Sequence, residues 1–449
     1  MANCDTTQKS GVWRSIARFA PAYLFSYFLQ TLYGMADLFI IGRYGGAADT
    51  TAVAVGSQVM HMLTVMLVGL AMGTTVLIAR AAGAKNDAAM RRAAGNTFTL
   101  FGILAIALTA LLLCLVVPIV RLVSTPREAA AGAQAYLRIC FAGVPFITAY
   151  NVIAAVYRGM GDSKTPLIFV AVACAFNIAL DYLFMGAFQM GPAGAALGTT
   201  LSQAASVAFS IFAIKRRKET ICTRADLRVD RAVIGNLLRI GAPVALQDGL
   251  IQVAFLTVTV IANRRGLTDA AAVGVVEKVM GFMFLVPSTM LSTVSALGAR
   301  ELGARRENGA KRVLFSCIAL GASIALCASI IVQFSADGIV SLFTPDAAAI
   351  RAGGQYLRGY IWDCLFGVIQ FSFSGYFCAR GRSRLSFYHN IASIALVRIP
   401  GAALASAKFP NTLLPMGMAS SCGSLASSLI CVGMYLYLNR KDKDELKTA

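Results

Sequence analysis

Stretches of twenty or more mostly apolar residues recur from one end of this 449-residue chain to the other. Each is long enough to cross ~30 Å of hydrocarbon as a helix. Twelve such spans fall near 19–41, 52–79, 95–120, 133–157, 165–187, 193–214, 240–263, 270–297, 313–335, 354–378, 386–407 and 414–437. Lipid offers the backbone no hydrogen bonds, so a chain of this kind must solve its pairing within each helix. The expectation is an all-α membrane protein with twelve transmembrane helices. Only 14% of residues are charged, against about 25% in soluble domains. The opening "MANCDTTQKSG" is polar and the first apolar run is too long for a signal-peptide core, so no removable leader is expected.

An even number of spans puts both termini on one side. Most of the 40 Lys and Arg fall in the tails and alternate connectors that share that side, which places both termini in the cytoplasm. The net charge of +19 then marks orientation and contact with anionic membrane lipid rather than nucleic acid. The eleven Cys are scattered through the spans without a CxxC, and there are only two His. Neither a disulfide framework nor a metal cluster follows, and no cofactor is expected. No HExxH or GxSxG is present, so an enzyme has no visible catalytic set. "GDSKTP" (161–166) reads as a turn at the inner face rather than a phosphate loop.

The chain repeats itself. "VLIARAAGAKN" (76–86) resembles "ALGARELGARR" (296–306), "STPREAAAGAQAYLR" (124–138) resembles "FTPDAAAIRAGGQYLR" (343–358), and "GGAADTTAVAVGSQVM" (45–60) resembles "RGLTDAAAVGVVEKVM" (265–280). One shared offset of about 220 residues signals internal duplication. Two six-helix bundles of the same orientation follow: residues 1–214, a basic cytoplasmic linker 215–239, and residues 240–449. They form a parallel, pseudo-symmetric repeat around a central cleft, an arrangement that suits transport.

Few acids lie at membrane depth: Asp37, Asp181, Asp248, Glu277 and Asp363. At 1.5 Å rise per residue, Asp37 lies roughly 6 Å below the outer end of its span, and Asp181 and Thr199 roughly 9 Å below theirs. Gln30, Tyr33 and Asp37 share one helix face, as do Asn177 and Asp181. Asn151 adds a deeper amide. Two carboxylates with amide and hydroxyl oxygens suit a proton or a small hard cation such as Na⁺, and such a pair titrates as a unit. In the second copy, Asp37 is matched by Thr257 or Thr259, and Asn177 and Asp181 by Val397 and Gly401 or by Ile399 and Ala403. This one-sidedness favours function over packing. Glu277, beside Lys278, either snorkels or forms a second ion site, Asp248 satisfies a helix backbone loosened by Pro243, and Arg398 anchors near an interface.

"QTLYGMADLFIIGRYGG", "RGMGDSKTP", "NIALDYLF" with "GPAGAALGTTLSQ", and "LVRIPGAAL" resemble the multidrug and toxic compound extrusion family, and within it the DNA-damage-inducible-protein-F-like branch of bacteria and archaea. The resemblance implies an antiporter in the cell membrane that exports amphipathic, often cationic, drug-like compounds against Na⁺ or H⁺, working as a monomer. It implies a cation site at Asp37, Asn177, Asp181 and Thr199, with Gln30, Tyr33, Tyr136 and Asn151 lining the substrate cavity. The seventh-span Glu of other branches is missing after Pro243, which argues against a second site there. The rivals are a lipid-linked oligosaccharide flippase of the same superfamily, which would line its cavity with several Arg, and a membrane-embedded enzyme.

Overall fold

The computed structural model describes the backbone of residues 2–217 and 221–448 and the side chains of 11–217 and 221–440. Every regular element among them is helical: α1 (Ala2–Tyr44), α2 (Ala47–Gly83), α3 (Asp87–Leu122), α4 (Arg127–Ala142), α5 (Val144–Met160), α6 (Lys164–Asp181), α7 (Gly191–Arg216), α8 (Arg231–Asn263), α9 (Leu267–Met283), α10 (Leu285–Gly303), α11 (Glu307–Ser341), α12 (Ala347–Tyr360), α13 (Trp362–Ala379), α14 (Arg384–Ser393), α15 (Ile399–Lys408) and α16 (Leu414–Thr448). Eleven helical stretches are long and apolar enough to span, and a twelfth is α4 with α5, bent by 49°. The break falls at Gly143–Val144–Pro145, where Pro at the second helical position can donate no backbone bond.

The helices end for local reasons. Asn86 caps α3 by accepting from the Ala89 amide at 2.9 Å, and Asp346 caps α12 by accepting from Ala348 at 2.9 Å. Gly161 (φ 91°) and Gly381 (φ 71°) close α5 and α13 in the left-handed region that glycine tolerates. Asp162 then accepts from the Lys164 and Thr165 amides at 2.9 and 3.1 Å, so "GDSKTP" is a capped helix–helix turn.

The chain divides into two compact units, Pro21–Ala245 and Met1–Ala20 with Leu246–Ala449. In the first, α2 packs against α3, α4 and α5, and α6 against α7. In the second, α10 packs against α11 and α13, and α9 against α12, so the same neighbours recur. The cores repeat too. Ala52, Val53, Met60, Tyr136 and Leu137 are buried together in one unit, and Ala272, Val273, Met280, Tyr356 and Leu357 in the other. Long helices such as α3 and α11 turn Ile103, Ile106, Ile330, Ile331 and Phe334 outward, as a hydrocarbon solvent allows.

The basic connector is docked rather than loose. Residues 218–220 lie outside the described residues, but Thr223 and Asp226 cap a short 3₁₀ turn, Arg224–Leu227. That turn is held on one face of α3. Asn96 donates to the Asp226 carbonyl at 3.3 Å and accepts from the Asp230 amide at 2.7 Å, Thr99 donates to the Leu227 carbonyl at 2.8 Å, and Arg92 pairs with Asp230. Replacing the fully buried Asn96 by Ala leaves both backbone groups unpaired. A loss of about 1–3 kcal/mol is expected, read as a lower thermal midpoint of the purified protein. An unchanged midpoint would mean that the connector is not anchored there.

Candidate functional site

Asp37 sits on α1, two residues after a Gly-Met step, with its side chain only 2% exposed. Asn177 and Asp181 hang one turn apart on α6, both at 0% exposure. Thr199 comes from α7. Sequence depth placed Asp37, Asp181 and Thr199 at one level, with Asn177 on the face of Asp181, and the fold brings them into one cluster: Asp181, Asn177 and Thr199 all surround the Asp37 carboxylate. Thr199 Oγ1 donates to Asp37 Oδ2 at 3.1 Å. Five other buried atoms have no hydrogen-bond partner: Asp37 Oδ1, both Asp181 oxygens, and the amide oxygen and nitrogen of Asn177. Buried polar atoms are nearly always paired, so such a concentration needs a reason.

Two local features position the acids. The helix behind Asp181 loosens into a π turn, Tyr182–Ala187, a distortion common at functional sites. On α7, Gly198 makes room for Asp181, because a methyl group added there would run into Asp181 Oδ1. Likewise Gly56 makes room for the ring of Tyr136. Gly198→Ala is expected to push Asp181 off Asp37 while the bundle still forms, since overpacking costs typically about 1–3 kcal/mol. Cation affinity should fall at least about tenfold, equivalent to ~1.4 kcal/mol. Unchanged affinity in Gly198→Ala would remove Asp181 from the site.

The expected cavity residues divide. Tyr33 and Tyr136 lie within electrostatic reach of Asp37. Tyr33 accepts a long bond from Gln203 Nε2 at 3.5 Å, and Tyr136 meets Ser57 Oγ at 3.1 Å. Gln30 is engaged by Tyr150 at 3.5 Å instead. Asn151 is buried but donates to the Ile147 carbonyl of its own helix at 2.9 Å. Sequence reasoning missed Gln203, whose Oε1 is also unpartnered. Its signal was available, because Gln203 follows Thr199 at i+4 on α7.

Arg398 is not an interface anchor. It is 6% exposed and pairs with Asp363, itself 0% exposed, at 2.6 Å. Sequence gave no hint of this, since the partners lie on different spans. The second unit therefore has polar equipment, but of another kind. Among the described residues no group of three or more His, Cys, Asp or Glu is placed to hold a metal ion.

A polytopic helical protein built from two copies of one bundle, with a buried acid cluster in the first copy, has the architecture of a membrane transporter. The MatE family model matches the chain twice, over residues 22–183 and 243–404. The chain belongs to the MatE family, the multidrug and toxic compound extrusion transporters. Among its relatives, the probable multidrug resistance protein YoeA of Bacillus subtilis (strain 168) is 27% identical over 442 residues, covering 96% of this chain and 95% of that protein. The probable multidrug resistance protein NorM of Thermotoga maritima is 28% identical over 336 residues, covering 72% and 70%. The fold also matches the outward-facing conformation of a multidrug resistance MATE family transporter of the MOP superfamily, with a TM-score of 0.89 at 21% identity over 97% of this chain and 96% of that one.

Proposed function

We propose that this chain is a cation-coupled antiporter that exports amphipathic, often cationic, organic compounds across the cell membrane. Its coupling cation, Na⁺ or H⁺, is a second substrate held by Asp37, Asp181, Asn177 and Thr199. The observation that carries this reading is the set of unpartnered oxygens on Asp37, Asp181 and Asn177. A Na⁺ would take several of those oxygens as ligands, and a proton would let one carboxyl group donate to the other. Either loading removes charge from a dry, low-dielectric place where two bare carboxylates repel. Tyr33 and Tyr136, within electrostatic reach of Asp37, then report the loading state to the space where a drug-like substrate sits. Cation entry and substrate exit alternate because each loading favours a different conformation of the same chain. The acid cluster of the first copy, at Asp37 and Asp181, fits the DNA-damage-inducible-protein-F-like branch. The basic connectors fit cytoplasmic termini, and a monomer suffices for the whole cycle.

A flippase for pyrophosphate-linked oligosaccharides would need several free arginines. Two of the deep arginines are already engaged: Arg158 on Tyr23 at 2.5 Å and Arg398 on Asp363. Purified protein in liposomes decides between the readings. A fluorescent organic cation should move only under an imposed Na⁺ or H⁺ gradient, and the effective gradient names the ion. Dye movement indifferent to both gradients would overturn the coupling, and scrambling of a lipid-linked oligosaccharide in its place would favour the flippase.

A further inference from the structure

The second unit holds a polar cluster built around a cation of its own. Arg398 Nη2 donates to Asp363 Oδ2 at 2.6 Å and to the Tyr360 hydroxyl at 3.2 Å. The guanidinium carbon lies 5.0 Å from the ring centre of Phe255 and 5.8 Å from that of Tyr360, within cation–π range. Glu277, next to Thr259, lies within electrostatic reach of the same guanidinium. Ser424 lies beside Asp363. The cluster is not closed: Arg398 Nε, Asp363 Oδ1, Glu277 Oε1 and the Tyr356 hydroxyl have no hydrogen-bond partner.

This cluster stands where the Asp37 cluster stands in the first copy. Tyr356 is the counterpart of Tyr136, and Glu277 that of Ser57 in the aligned segments 265–280 and 45–60. Ser57 bonds Tyr136, and Glu277 lies within electrostatic reach of Tyr356. The two family-model matches begin at 22 and 243 and end at 183 and 404. Their offset of 221, against 220 for the aligned segments, places Arg398 within one residue of the position opposite Asn177. A π turn also adjoins each buried charge, at different points of the repeat: Asp181 precedes Tyr182–Ala187, and Arg398 closes Ile394–Arg398.

The charges then compare directly. Among the described residues, the first cluster has two carboxylates, Asp37 and Asp181, and no basic side chain. The second has two carboxylates, Asp363 and Glu277, and one guanidinium. A single monovalent cation loaded into the first would bring it to the charge that the second carries permanently. A tethered cation offers the same neutralisation as a free one without an exchange step. We propose that Arg398 is a resident counter-cation, filling in the second unit the place that an exchangeable monovalent cation takes in the first, so that Asp363 and Glu277 load none. This rests on the cation-coupling reading of the first cluster. It assigns one exchangeable cation per chain and makes Arg398 the residue that sets that number.

The test counts ²²Na⁺ retained and protons taken up per chain by the purified full-length protein. Wild type should load one equivalent and Asp37→Asn none. Arg398→Gln should gain one equivalent over wild type. The gain should vanish in Arg398→Gln/Asp363→Asn and be absent in Arg398→Lys, which keeps the charge. An Arg398→Gln variant that loads no more than wild type overturns the proposal. If Arg398→Gln does not fold, Asp37→Asn decides: loading that survives there and disappears in Asp37→Asn/Asp363→Asn overturns it, and no loading supports it. A wild type that loads nothing would sink the reading of the first cluster, while a gain in Arg398→Gln would still stand for the second.

Discussion

Asparagine in place of Asp37 should abolish gradient-driven export, a fall of at least about tenfold, while the protein inserts, folds and melts no lower than wild type. The side chains have nearly the same shape, and the amide oxygen can still accept from Thr199 Oγ1, which now bonds Asp37 at 3.1 Å. What disappears is the charge. An intramembrane carboxylate costs roughly 2.5–3.5 kcal/mol on insertion scales, so its removal relieves the fold rather than burdening it. Loss of function with retained or raised stability is the signature of a group kept for function at the expense of stability. A packing residue would show the reverse, with a lowered midpoint and proportionate loss of transport. The measurement pairs dye export from proteoliposomes with a thermal melt of the same preparation. Normal export by Asp37→Asn would end the coupling assignment, whatever the melt shows.

The sequence was most informative where periodicity and depth act alone. Twelve spans follow from apolar run length, and the first cluster follows from three helices whose polar groups share a level: Asp37 on α1, Asp181 on α6 and Thr199 on α7. Helix geometry relates residue number to depth, so such coincidences can be read before any packing is known. The kink at Gly143–Val144–Pro145 was less visible, because Gly and Pro are common in membrane helices and few of them break the span. Gly198 was invisible for the same reason: its meaning lies in Asp181, which belongs to another helix. The Arg398–Asp363 pair was the clearest miss. The arginine stands in "LVRIPG", inside the span 386–407, and the aspartate opens α13, thirty-five residues earlier in the chain. Only packing of α13 against α14 and α16 brings those elements together. The repeat sets Val397 or Ile399 opposite Asn177, one residue either side of Arg398, and both are apolar.

The same pair carries the largest expected effect on stability. Replacing Asp363 by Ala strands the Arg398 guanidinium, 6% exposed, with Tyr360 as its only remaining hydrogen-bond acceptor among the described residues. Breaking a buried pair from one side typically costs about 3–5 kcal/mol. The ring of Phe255, 5.0 Å from the guanidinium carbon, offers it only a cation–π contact in place of the lost carboxylate. Replacing both partners by Leu should restore most of that loss, because neither member of the pair is left without the other and hydrophobic replacements of buried pairs are often neutral. The double-mutant cycle over Asp363 and Arg398, followed by denaturant or thermal unfolding, should therefore give a coupling of at least about 2 kcal/mol. Additive single effects would mean that each group is stabilised by its surroundings independently. Strong coupling would instead mean that the guanidinium is retained because Asp363 is there. For a tethered cation that is the expected order of dependence: the acids define the site, and the arginine occupies it.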